Sequence, residues 1–197
     1  MTAVLLDRPA ATTAGCRFPT WCAGECRAGT PGPSGELNHW STATNFRSYD
    51  LDERIGIELY AYENSEDGAS PVAVYLSIGD DYLDEDGGQL TVRQARGLGE
   101  ALLTFAPRLP LHEDQLIHAV DRDGEQFLTA EYRRERERRD CSVRPANVEF
   151  SIRPDGTRKH WIRERLSLGT TQRLARALID AADQADRSNL EHGLVDK

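Results

Sequence analysis

No stretch of this 197-residue chain stays apolar for anything near the roughly 20 residues that a bilayer-spanning helix requires. The opening MTAVLLDRPAATTAG has no basic residues ahead of its short apolar VLL, so no secretory leader is predicted. The cytoplasm is therefore the expected compartment. Thiols stay reduced there, so the four cysteines are expected as metal ligands or small buried residues rather than disulfides. Signatures of catalysis are missing as well. The chain has no nucleophile elbow, no phosphate-cradling glycine loop and no H-E-x-x-H. The acidic run Asp80, Asp81, Asp84, Glu85, Asp86 fails as a calcium loop: with Gly87 at the sixth position, Tyr82 falls first and Arg93 last, where carboxylates are needed. It reads as a solvated hairpin loop.

What is present describes a folded chain: 29% charged and 39% hydrophobic residues lie in the globular range. The net charge of -9 is unevenly spread. Ser48 to Leu90 holds 12 acidic residues and one arginine, a balance of -11, whereas Glu131 to Arg165 holds 11 basic and 7 acidic residues, a balance of +4. Two halves of opposite charge attract, which raises docking on one another or on a second chain. The favoured expectation, however, is two solvated faces whose exposed pairs each add only ~0–1 kcal/mol.

Hydrophobic periodicity predicts a duplicated unit. Val74, Ser77 and Ile78 alternate as a strand, followed by Leu90 and then by Leu98, Ala101 and Leu102 at helical spacing. Val148, Ser151 and Ile152, Leu166, and Leu174, Ala177 and Leu178 repeat that order. In both places the period changes from two to about 3.6, the mark of a strand-to-helix transition. Thr91 with Gln94 has the form of a capping box, and Ser167 stands where the second helix would be capped. Arg54 to Glu63 alternates as a strand, and hairpins are expected after it, about Asp123-Gly124, and about Pro154-Asp155-Gly156. Pro107 should end the first helix; the second is expected from about Leu168 to Ala185.

The densest chemistry lies in the Gly/Pro-rich segment from Gly15 to Ser41, which has too many turn formers for a helix and is too short for its own core. Order there requires a staple. Cys16, Cys22, Cys26 and His39, spaced C-x5-C-x3-C-x12-H, supply three thiols and an imidazole, the donor set of a closed tetrahedral zinc site with a structural role. The first gap is longer than usual, which makes Cys16 the weakest member. Cys141 stands apart and reads as a small buried residue.

Pro19-Thr20-Trp21-Cys22, Cys26 four residues on, His39-Trp40-Ser41 and the later QLTVRQARGLGEALL together resemble an actinobacterial family of uncharacterised small proteins. That family carries C-P-x-W-C-x-x-x-H, a later H-x-S, and a strand-strand-helix unit. The likeness covers about residues 16–106. Where the family has a histidine this chain has Cys26, an exchange that keeps metal-ligand chemistry. The resemblance implies no activity.

These readings predict an α+β fold of duplicated strand-strand-helix units, an antiparallel sheet covered by two helices, with an N-terminal Cys/His-rich loop. Disordered tails are expected at 1–15 and 188–197, the Cys/His segment at 16–47, an acidic first unit at 48–106, a linker at 107–114 and a second unit at 115–187. The expected function is a non-enzymatic interaction or regulatory protein with a structural zinc, engaging a protein partner or itself. The alternative is a nucleic-acid-binding accessory protein working through residues 131–165, with Arg153, Arg158, Lys159, Trp161, Arg163 and Arg165 along a phosphate backbone. The interleaved carboxylates oppose that, because such affinity is mostly phosphate neutralisation. An enzyme of unidentified class is the second alternative.

Overall fold

The computed structural model describes residues 16–18, 20–23, 37–47, 54–64, 68–78, 87–105, 117–122, 125–133, 147–152 and 162–194. The acidic loop, the expected linker, Cys26, Cys141 and the turn about Pro154 lie outside the described residues.

The fold is α+β, and every strand pairing among the described residues is antiparallel. The first sheet is built on β3 (Arg54–Asn64), whose Ile55, Ile57, Leu59 and Ala61 are all buried on one face, as their alternation requires. β3 pairs with β1 (Leu37–Trp40), β2 (Thr44–Arg47), β4 (Gly68–Ala69) and β5 (Ala73–Ile78), and β5 pairs with β6 (Gly87–Leu90). The second sheet runs in the order β10 (Ile162–Ser167), β9 (Asn147–Ile152), β8 (Glu125–Arg133), β7 (Ile117–Arg122), with a bulge between Val120 and Asp121. Here the structure corrects the expectation of a single sheet. Among the described residues no strand of one sheet pairs with a strand of the other.

Helix α1 (Val92–Phe105) starts where the capping box places it. The Thr91 N–H donates to Gln94 Oε1 at 2.9 Å and the Gln94 N–H to Thr91 Oγ1 at 3.2 Å, satisfying two donors that the helix itself cannot. Helix α2 (Leu168–His192) is capped by Ser167, whose Oγ accepts from the Thr170 N–H at 3.2 Å. It ends at Gly193 in the left-handed region (φ 64°), with the Leu194 N–H returning to Asn189 O at 2.8 Å. This is about two turns beyond the expected end, and it removes residues 188–192 from the predicted disordered tail.

The helices pack directly on each other, α1 also on β5 and β6, and α2 on β9 and β10. Each reaches across as well, α1 to β7 and α2 to β2, β3 and β5. Among the described residues, the two units therefore meet through an apolar helix pair. The contact between oppositely charged side chains seen there is Arg96 with Asp183 (2.8 Å) and Asp186 (3.5 Å), at the exposed rim, where such a pair adds only ~0–1 kcal/mol.

The register of the two units corresponds strand by strand. Phe46 pairs with Ile55 and Val120 with Leu128; Leu59 with Val74 and Tyr132 with Val148; Val74 with Leu90 and Val148 with Leu166. Buried Ala95, Leu98, Gly99 and Leu102 of α1 match buried Thr171, Leu174, Ala175 and Leu178 of α2, each 76 residues on. At the helix contact Gly99 lies against Ala175, its own counterpart. The first unit adds β1, and α2 adds a long C-terminal extension. The N-terminal cysteine segment lies where these two additions meet.

Candidate metal centre

His39 is carried by β1, opposite Ala61 of β3. Its ring therefore points to the face of the sheet that α2 covers, and it is 1% exposed. The chain before it folds back over the same place. A turn in which the Cys22 N–H donates to Phe18 O at 2.9 Å brings Cys22 inward, and the Ala23 N–H donates to Trp40 O at 2.9 Å, tying the turn to the end of β1. The Phe18 N–H points at Cys16 Sγ at 3.4 Å. Phe18 is fully buried and its ring stands T-shaped to that of His39 at a centroid distance of 4.9 Å.

These constraints bring Cys16 Sγ to 3.5 Å from His39 Nδ1. The donor atoms of Cys16, Cys22 and His39 all lie within 4.8 Å of one another. A tetrahedral ion with ordinary zinc–sulfur and zinc–nitrogen bonds holds its donors roughly 3.3–3.8 Å apart. The Cys16–His39 separation already has that value, and the trio lies within metal-ligand distance. Cys22 is buried and Cys16 half-buried. Two thiols and an imidazole with no carboxylate among the donors form a set that favours borderline-soft ions over calcium or magnesium. Three of the four ligand residues expected from the sequence are thus brought together, including Cys16, the one whose spacing fits least well. Cys26 lies outside the described residues.

The far side of the imidazole faces a carboxylate. His39 Nε2 is 3.6 Å from Glu63 Oε2, and it is a buried atom without a hydrogen bond. Arg17 Nη1 holds the other carboxylate oxygen at 3.4 Å. Burial pushes the His39 pKa below its ordinary value, against the opposing pull of Glu63, so the neutral ring that a metal needs is favoured. Sequence reasoning gave Glu63 no role beyond ending the strand from Arg54. A signal for it does exist: Glu63 continues the odd-numbered face of Ile55, Ile57, Leu59 and Ala61, which places a carboxylate at the end of a buried stripe.

The cluster also grips α2. Trp21 Nε1 donates to Ser188 Oγ at 3.0 Å, His192 Nε2 lies 2.8 Å from Arg17 O, and Phe18 packs against the His192 ring at 4.9 Å. Beside them Asn189 spans the backbone of Val72, accepting from its N–H at 2.7 Å and donating to its carbonyl at 3.1 Å. Ser188, Asn189 and His192 fall in the expected tail, and no periodicity in the sequence marks them.

Of the residues singled out for the basic surface, Arg153, Arg158, Lys159 and Trp161 lie outside the described residues. Arg163 contributes backbone to β10 opposite Ser151. Arg165 Nε sits 3.2 Å from Glu149 Oε2, a carboxylate only 4% exposed. Among the described residues, no helix is long and apolar enough to cross a membrane. No family model and no curated protein matches the chain, so the likeness of residues 16–106 to an actinobacterial family rests on the motif residues alone.

Proposed function

We propose that this chain is a non-enzymatic interaction or regulatory protein of the cytoplasm, built by internal duplication and stapled by a structural zinc ion on Cys16, Cys22 and His39, with Cys26 as the fourth ligand. The observation that carries the zinc reading is the convergence of three donors from distant positions at a buried corner of the sheet, within 4.8 Å of one another. Zinc is the ion that best suits thiolates and imidazole in a closed site, and a closed site leaves no coordination position for substrate. Duplication is supported by the shared strand register and by the contact of Gly99 with its counterpart Ala175.

The interaction reading is supported by the outer face of the first sheet. Trp40, Tyr60 and Tyr75 cluster there at centroid distances of 4.4 to 6.5 Å, and Tyr62 is 38% exposed. Aromatic side chains with a polar tip are the type enriched at protein interfaces. The pairing of Arg165 with a buried carboxylate and the net charge of -9 count against a phosphate-binding role; steeply salt-dependent binding of DNA or RNA would reverse that judgement.

Elemental analysis combined with native mass spectrometry tests the zinc reading. The purified protein should carry one zinc per chain. A mass equal to that of the bare chain, with all four thiols rapidly titratable, would remove the reading.

A further inference from the structure

We infer that Glu63 is the positioning carboxylate of the metal centre: it fixes the His39 tautomer so that Nδ1 is the ligating atom and Nε2–H is held on the carboxylate. This inference rests on the metal reading above and adds a residue that contributes no ligand atom itself. Its basis is the orientation of the ring. His39 Nδ1 faces the sulfur of Cys16 at 3.5 Å, while Nε2 faces Glu63 Oε2 at 3.6 Å on the opposite side. A neutral imidazole carries one N–H and one free lone pair. With the lone pair directed to the thiol side, the proton must sit on Nε2, which is buried and has no hydrogen bond in this arrangement. A buried donor left unsatisfied is costly. Glu63 Oε2 is the carboxylate in reach, and a shift of about 0.8 Å would bring it to the length of a charge-assisted hydrogen bond.

The backbone explains why the carboxylate is there. His39 pairs with Ala61 across β1 and β3, and Glu63 lies two residues further along β3 on the same face, the diagonal neighbour of His39. The second carboxylate oxygen is held by Arg17, which directly follows Cys16. Closing the thiols around an ion therefore moves the residue that braces Glu63, and Glu63 in turn braces the imidazole. Partners of this kind raise ligand basicity and fix ring orientation, and their loss typically lowers metal affinity about 10–100-fold.

The test uses the full-length chain and starts from the metal content of the unsubstituted protein. Zinc affinity is measured by competition with a chromophoric chelator for the wild type, Glu63→Gln and Glu63→Ala. Cobalt spectra and long-range nitrogen–proton NMR of the His39 ring are recorded on each. Glu63→Ala should lose about 10–100-fold in affinity, with altered cobalt bands and loss of the protected Nε2–H signal. Glu63→Gln, which keeps an acceptor, should retain part of both. If wild type carries metal but Glu63→Ala binds it within about twofold of wild type, or NMR shows coordination through Nε2, this inference falls and the zinc reading stands. A carboxylate that merely stabilised the strand would lower the melting temperature of apo and loaded protein alike with unchanged cobalt bands; that too would overturn it. Absence of metal from wild type overturns both.

Discussion

Gly99 shows how narrowly the helix pair is fitted. A Cβ added there would sit 2.7 Å from Ala175 O and 2.7 Å from Ile179 Cγ1, and a backbone carbonyl cannot turn aside. Gly99→Ala should therefore cost about 1–3 kcal/mol by forcing the helices apart, even though alanine is the better helix former. Gly97, two residues away in the same helix, has nothing within 4 Å of the added carbon. Gly97→Ala should stabilise by roughly 0.5–1 kcal/mol. Urea midpoints moving in opposite directions for the two variants check the pair; matching shifts would contradict the packing. Asn189→Ala should be severe for its size, because both backbone groups of Val72 are left buried without partners, at about 1–3 kcal/mol for each group. Thermal melting measures it, and a loss below about 0.5 kcal/mol, the range of an ordinary surface substitution, would contradict the bidentate contact.

His118 gives a pH dependence. Its pKa is lowered from 6.5 by burial, so on acidification the unfolded chain takes up the proton before the folded one. The stabilisation is complete above about pH 6.5 and is lost as the pH falls through the lowered folded value. Urea midpoints at about pH 7.5 and about pH 5.5 should separate more for wild type than for His118→Gln. Equal separations would contradict the burial.

At the scale of the element, the parts governed by local rules are legible in the amino-acid sequence alone. The alternation of Ile55, Ile57, Leu59 and Ala61 specifies the buried face of β3. The stripe of Val92, Ala95, Leu98 and Leu102 gives α1, and the hydroxyls of Thr91 and Ser167 mark both helix starts. The end of α2 is not legible in the same way. Its last turns bury Ser188 and Asn189 through hydrogen bonds to Trp21 and Val72, more than 100 positions away in the chain, and polar residues satisfied at such range look like a solvated tail. Glu63 is marked only by its place on the buried face of β3; its proposed role depends on His39 and Arg17 rather than on its sequence neighbours. Cys22→Ser should accordingly loosen the last turns of α2 along with the N-terminal segment. Faster amide exchange in both regions would show it; a change confined to residues 16–23 would contradict the link.

For the whole molecule, sequence periodicity shows two similar strand-to-helix patterns but not how the two units share a core. A helix stripe does not say which sheet it covers, and α2 lies across strands of both units. Among the described residues the helix contact is apolar, with an exposed rim network around Arg96. What breaks the symmetry of the pair is the joint addition of β1, the cysteine segment and the extended α2. The Cys16–Cys22–His39 cluster sits at that junction, and the metal proposed for it would make it a clasp between the N-terminal segment and the end of the chain's last helix.

Hydrogen exchange of the full-length protein with and without a zinc chelator tests that clasp most directly. Chelation should raise exchange together in residues 16–23, in β1 and in α2 from about Ala182 to His192, while α1 and the second sheet keep their protection. Unchanged exchange throughout, or a loss of protection spread evenly over both units, would contradict it.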